Sequence, residues 1–281
     1  MQLFRFMIVD VFTDTPLAGN QLAVFSNATG MPEERMQDLA REMGFSETTF
    51  VLPPEQGGDF RMRIFTPACE LPFAGHPTLG TAFALAGPLQ SILVRIETAS
   101  GIVPVALERE GAKVVFGRMQ QPIPAVVPFG GADELLEALG VGASLLPIEA
   151  YDNGVQHVFV TLPTTDEVAA LKPDMGRLAE LLGAMGVSVS AVEGGRVKTR
   201  VFGPGLGVGE DAATGSAAGP LAVHLARHGV VAWGDTVVIS QGVEIGRPST
   251  LYAWAEGSAD QVTGIDVGGS AVVVGRGEFR V

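Results

Sequence analysis

The chain has 281 residues with a formal net charge of -13, 47% hydrophobic and 17% charged residues, and 37 glycines. So apolar and glycine-rich a composition excludes disorder and is long enough for one large domain or two lobes. The acidic surface repels phosphate backbones, so no nucleic-acid partner is expected. The single cysteine, Cys69, rules out an internal disulfide and suits a reducing, cytoplasmic setting. Leu79 to Leu85 and the other apolar runs are too short to cross a bilayer, so no membrane partner is expected either.

In chain order, Leu3 to Phe12 predicts a strand, and Gly19-Asn20 a turn into a second strand at Leu22 to Phe25. A helix follows. Pro32 suits its first turn, Glu33 and Glu34 favour its positive end, and Met36, Leu39, Ala40 and Met43 make one apolar face ending at Gly44. Ser46-Glu47 leads into a strand over Thr48 to Leu52, and Phe60 to Phe65 gives the next. From Gly75-His76-Pro77 onward the residues are apolar or small on every side, which predicts a helix buried all round.

The second half repeats this order. Residues 197–202 predict a strand, a glycine-rich stretch reads as a flexible loop, and Gly215 to Ala226 predicts another mostly apolar helix. Arg63-Ile64-Phe65-Thr66-Pro67 lines up with Arg200-Val201-Phe202-Gly203-Pro204, as expected of a duplicated lobe. The boundary is placed after Gln121-Pro122-Ile123-Pro124. The lobes are then residues 1–125, rejoined by residues 267–281, and residues 126–266. Further helices are expected at Asp133 to Leu139 and Asp174 to Met185, and late strands at Thr236 to Ser240, Ser249 to Ala255 and Ser270 to Gly275.

Three tempting motifs fail. The run Gly203 to Gly209 lacks dinucleotide-loop spacing and is followed by no phosphate-binding lysine. Ser216 lacks the flanks of a hydrolase nucleophile. His224 and His228 stand four apart, but no glutamate lies between them and no third ligand is evident, so no metal is expected.

What remains are two helix starts, Gly75-His76 and Gly215-Ser216. The unpaired N–H groups of such starts bind anions. If the lobes face each other, both starts serve one cleft that takes a small carboxylate. Glu47, His76, Asp211 and Ser216 lie near them. Burial would raise Glu47 into acid/base range, while His76 can relay a proton and Ser216 can donate a hydrogen bond. Each also has a plainer reading: Glu47 as a surface carboxylate, the other three as caps.

Five segments together resemble the PhzF-like phenazine-biosynthesis family: Gly19 to Phe25, Ser46 to Val51, Phe73 to Thr78, Gly209 to Ala217 and Gln241 to Ser249. The resemblance implies an α/β (α+β) fold like that of diaminopimelate epimerase. That fold has two pseudo-symmetric lobes, each a curled, mostly antiparallel sheet around a central helix. It also implies a homodimeric isomerase without cofactor that shifts a proton on a small carboxylate-bearing metabolite. Glu47 would carry the proton, and His76, Asp211 and Ser216 would orient the substrate. Gly75 and Gly215 would offer backbone donors, with Thr214 beside them in the substrate-binding segment. Ala212 departs from the family's usual proline. Ala74 and Thr214 stand where two-thiol epimerases carry cysteines. The alternatives are an amino-acid epimerase or racemase of the same fold, and a metabolite-binding protein without catalysis.

Overall fold

The computed structural model describes residues 2–89 and 91–281. The chain divides into two compact units, Met1–Gln120 with Gly268–Val281, and Gln121–Val267.

In the first unit, β1 (Leu3–Val11) pairs antiparallel with β2 (Asn20–Phe25), which runs parallel to β3 (Glu47–Leu52) after crossing over through α1 (Glu33–Met43). Next, β4 (Phe60–Phe65) lies antiparallel to β3 and to the short β5 (Glu70–Leu71). The second helix, α2 (Gly75–Leu89), crosses over to β6 (Leu93–Thr98), which lies parallel to β4. Then β7 (Gly101–Glu110) and β8 (Lys113–Gln120) continue antiparallel.

The second unit opens with β9 (Ala125–Val127), α3 (Ala132–Leu139) and β10 (Glu149–Asp152), with β9 and β10 antiparallel. Next come β11 (Gln156–Thr161), α4 (Thr165–Ala170), α5 (Met175–Leu182) and β12 (Gly186–Glu193). A third group is β13 (Arg196–Gly203), β14 (Val208–Asp211), α6 (Gly215–Arg227) and β15 (Val237–Gln241). After β16 (Ser249–Gly257), β17 (Val262–Gly269) leads to β18 (Ala271–Arg280), which pairs antiparallel with β1.

Both halves follow one wiring scheme, so the fold is α/β with mostly antiparallel sheets and an internal duplication. Like β2 and β3, β11 and β12 are parallel across a helical crossover. Like β4, β13 is flanked by two antiparallel strands and one parallel strand, β15. The side chains repeat too. Arg63 donates from Nε and Nη2 to Glu70 at 2.6 Å each, and its guanidinium lies 5.1 Å from the Phe65 ring centre. Arg200 donates likewise to Glu210 at 2.9 and 2.7 Å, 5.0 Å from the Phe202 ring centre.

The strands β2, β3, β11 and β12 are buried along most of their length and read as apolar runs, whereas β7 and β16 alternate buried and exposed residues. In the first unit α1 closes a cluster of Phe25, Phe50 and Phe65 with Met36, Leu39 and Ala40. Its C-cap is Gly44, at φ 66°, whose N–H reaches the Ala40 carbonyl at 3.2 Å. An L side chain is disfavoured in that left-handed turn. On the other face α2 packs against β1 and β2. A Cβ at Gly80 would lie 2.6 Å from Val11 Cγ2 and 2.7 Å from Leu22 Cδ2, so a glycine there lets helix and sheet approach.

The expected helices and strands fall within a few residues of these elements. The stretch after β13 differs from the expected flexible loop. Pro204–Leu206 forms a turn of 3-10 helix capped by Gly207, and β14 hydrogen-bonds back onto β13. Frequent glycines hide the period of so short a strand.

Candidate active site

The first unit gathers two of the expected residues. Glu47 opens β3, its side chain 14% exposed, and Oε2 stands 3.4 Å from Nε2 of His76, the second residue of α2. Register explains the meeting: Glu47 lies opposite Leu22 of β2, and α2 packs across both strands.

A hydrogen-bond chain sets the state of His76. Ser46 Oγ donates to Asn20 Oδ1 at 3.4 Å, which turns the Asn20 amide nitrogen toward His76 Nδ1, 3.3 Å away. An amide N–H there makes Nδ1 the acceptor. The ring proton is then on Nε2, facing Glu47. Burial raises the Glu47 carboxyl from 4.5 to about 7. The result is a carboxyl poised near neutrality with the buried imidazole nitrogen of His76 3.4 Å away. Gly75 begins α2, and its first N–H groups have no intrahelical carbonyl.

The second unit gathers the others. Asp211 closes β14, and Thr214 Oγ1 donates to its Oδ2 at 2.6 Å. Gln241 clamps the same turn. Its amide nitrogen reaches the Asp211 carbonyl at 2.8 Å and Thr214 Oγ1 at 2.9 Å, and its Oε1 accepts from the Thr214 N–H at 3.1 Å. The N-cap of α6 is Thr214, and Ser216 lies inside the first turn. The plainer reading of Ser216 as a cap is therefore set aside: its Oγ is 3.1 Å from Nε2 of the buried His157.

Burial lowers His157 from 6.5 to about 4, so the ring is neutral at pH 7. Its Nδ1 is buried with no partner. An unmet lone pair costs less than an unmet N–H, so Nε2 carries the proton and donates to Ser216. That leaves the serine hydroxyl hydrogen to donate elsewhere. The helix start is also tied from below. Pro220 cannot donate to the Ser216 carbonyl, and Asn153 Nδ2 takes its place at 3.0 Å, while Gln121 Nε2 reaches the Gly215 carbonyl at 2.8 Å.

Comparison of the two halves shows what diverged. Thr48 lies opposite Phe65 and Val187 opposite Phe202, so Glu47 corresponds to Gly186. By the same count Leu22 corresponds to His157. A Cβ at Gly186 would sit 2.6 Å from His157 Nδ1. One copy has a carboxylate beside its helix start. The other gives that space to an imidazole.

Asn20, His157, Gln241, Gln121 and Asn153 were not singled out as site residues from the sequence. Their partners are 27 to 94 residues away, and no local pattern marks such pairs.

The chain matches the phenazine biosynthesis-like protein family (PhzC-PhzF) over residues 9–277. It belongs to that family. It is 50% identical over 275 residues to the trans-2,3-dihydro-3-hydroxyanthranilate isomerase of Pseudomonas fluorescens, covering 98% of this chain and 99% of that one. Among solved structures it resembles the PhzF-family phenazine biosynthesis protein of Bacillus anthracis, at a TM-score of 0.87 and 27% identity over all of both chains. A hydroxyproline epimerase from Agrobacterium vitis shares the fold at a TM-score of 0.69 and 14% identity, over 99% of this chain and 91% of that one. This PhzF-family chain is an isomerase. Among the described residues, no helix is long and apolar enough to cross a membrane.

Proposed function

We propose that the protein shifts a proton on a small cyclic amino-carboxylate, with Glu47 as the single acid/base and no cofactor. The observation that supports this most is the Glu47 carboxyl, raised to about 7 by burial and faced by His76 Nε2. A general base works best with a pKa near the operating pH.

In the proposed step Glu47 takes a proton from a ring carbon. The electron pair left behind moves through the conjugated double bonds, and a second ring carbon takes the proton back from Glu47. Atoms and electrons balance within the substrate, so no oxidant or reductant enters. His76 Nε2–H steadies the charge that develops. Asp211, Thr214 and Ser216 orient the substrate's amino, hydroxyl and carboxylate groups. The starts of α2 at Gly75 and of α6 at Gly215 offer backbone donors to the carboxylate, which is how an acidic chain can bind an anion. The proposed working form is a homodimer.

Relatives named for trans-2,3-dihydro-3-hydroxyanthranilate support this choice of substrate class. The test is proton NMR of that compound with the purified protein in heavy water. A shifted double bond with wild type, and none with a folded Glu47→Gln variant, is expected. Inversion at a single carbon without a double-bond shift, or full turnover by Glu47→Gln, would overturn the reading.

A further inference from the structure

The spacing of His224 and His228 lacked a third ligand in the sequence, and the fold supplies one. His224 lies in the last turn of α6 and His228 follows as its C-cap, its N–H bonded to the His224 carbonyl at 3.2 Å. Glu149, the first residue of β10, meets both. Its Oε2 is 3.2 Å from His224 Nδ1 and 3.1 Å from His228 Nε2. The three donor atoms all lie within 4.8 Å of one another.

We propose that Glu149, His224 and His228 form a binding site for a divalent transition-metal ion, zinc first among them, that ties β10 to the end of α6.

Four features of the cluster carry the inference. The first is the donor set: two imidazoles and a carboxylate are borderline ligands that suit zinc, with water filling the fourth position. The second is spacing. Bonds of about 2.0–2.1 Å in a tetrahedral site put ligand atoms roughly 3.4 Å apart, and the carboxylate oxygen is already near that distance from both nitrogens. The third is support. Tyr151 Oη donates to the same Glu149 oxygen at 2.8 Å, holding the carboxylate as outer partners of metal ligands do. The His224 ring stacks on Phe159 and meets Tyr151 edge-on, at 5.7 Å between centres in each case. The fourth is the setting. The C-terminal end of a helix favours a cation. His224 is fully buried, whereas the side chains of Glu149 and His228 are each 22% exposed, so an ion can enter.

Arg227 is the charge that opposes an ion. Its Nη1 engages Tyr151 Oη at 3.3 Å, and the tyrosine hydroxyl stands between it and the carboxylate. The site is also distinct from the α6 start. His224 lies nine steps along the helix from Gly215, about 13.5 Å at 1.5 Å per residue. The ion would therefore be a clasp in the second unit, with no part in moving the proton.

The experiment uses the untagged full chain with the exposed Cys69 replaced, Cys69→Ser, stripped with EDTA and passed over a chelating resin. Zinc chloride is titrated in by calorimetry, cobalt(II) by visible absorption, and melting is followed with and without zinc. One ion per chain at micromolar affinity or tighter, a tetrahedral cobalt spectrum and a higher melting temperature are expected. Glu149→Gln and His228→Gln, both checked for folding by circular dichroism, should each bind at least about tenfold more weakly. Substoichiometric binding by the parent chain, or equal affinity in the parent and both folded variants, would overturn the proposal.

Discussion

Replacing Glu47 by glutamine should stabilise the fold, and by an amount that depends on pH. The carboxyl is raised from 4.5 to about 7 by burial. Between those values the native protein holds a proton that the unfolded chain has released, so stability falls as pH rises. The difference of about 2.5 pH units, at 1.36 kcal/mol each, sets the loss above pH 7 at ~3 kcal/mol. Below pH 4.5 both states are protonated and the loss vanishes. Glutamine has the same shape and no charge to bury. Urea denaturation of wild type and Glu47→Gln from pH 4 to pH 8.5 should show equal stability at the acid end and a growing advantage for the variant. That advantage should approach ~3 kcal/mol at the alkaline end. A difference that does not change with pH would refute the claim that burial perturbs this carboxyl.

Three further outcomes follow from the same geometry. The kcat/KM of wild type should rise about tenfold per pH unit below 7 and level off above it, because the free enzyme needs Glu47 ionised; a plateau already reached at pH 5 would exclude Glu47 as the base. Ser216→Ala should weaken binding of a product-like carboxylate about tenfold to a hundredfold by calorimetry, and unchanged affinity would remove the serine hydroxyl from the site. Gly80→Val should cost about 1–3 kcal/mol in denaturation, since its Cβ would press on Val11 and Leu22; equal or greater stability would show that α2 has room there.

What the sequence made legible was local. The first helix announced itself through Pro32, Glu33, Glu34 and Gly44, residues whose effects act within one turn. The two glycine-led helix starts and Glu47 were visible from local chemistry, and their roles came from short runs around them that resemble a family. The pairs that complete the site were not. Asn20 meets His76 at the start of α2, and His157 meets Ser216 at the start of α6, only because strands 56 and 59 residues away in the chain reach those helix starts. The third donor of the histidine pair escaped for the same reason, since Glu149 lies 75 residues before His224. The strand Val208–Asp211 read as loop because its pairing with β13, rather than its own composition, makes it a strand.

The pairing of β18 with β1 bears on how the chain is made. Nine registered pairs, from Leu3 opposite Arg280 to Val11 opposite Ala271, join the first strand to the last. The second unit is one continuous stretch, Gln121–Val267, and its strands can find their partners as soon as it leaves the ribosome. The first unit cannot close until residues 268–281 arrive. At about 5–20 residues per second, the 161 residues after Gln120 keep β1 waiting roughly 8 to 30 seconds with one edge unpaired. During that interval an apolar strand is exposed to neighbouring chains. Yield in a cell should therefore respond to translation speed and chaperone supply more than the stability of the finished molecule would suggest.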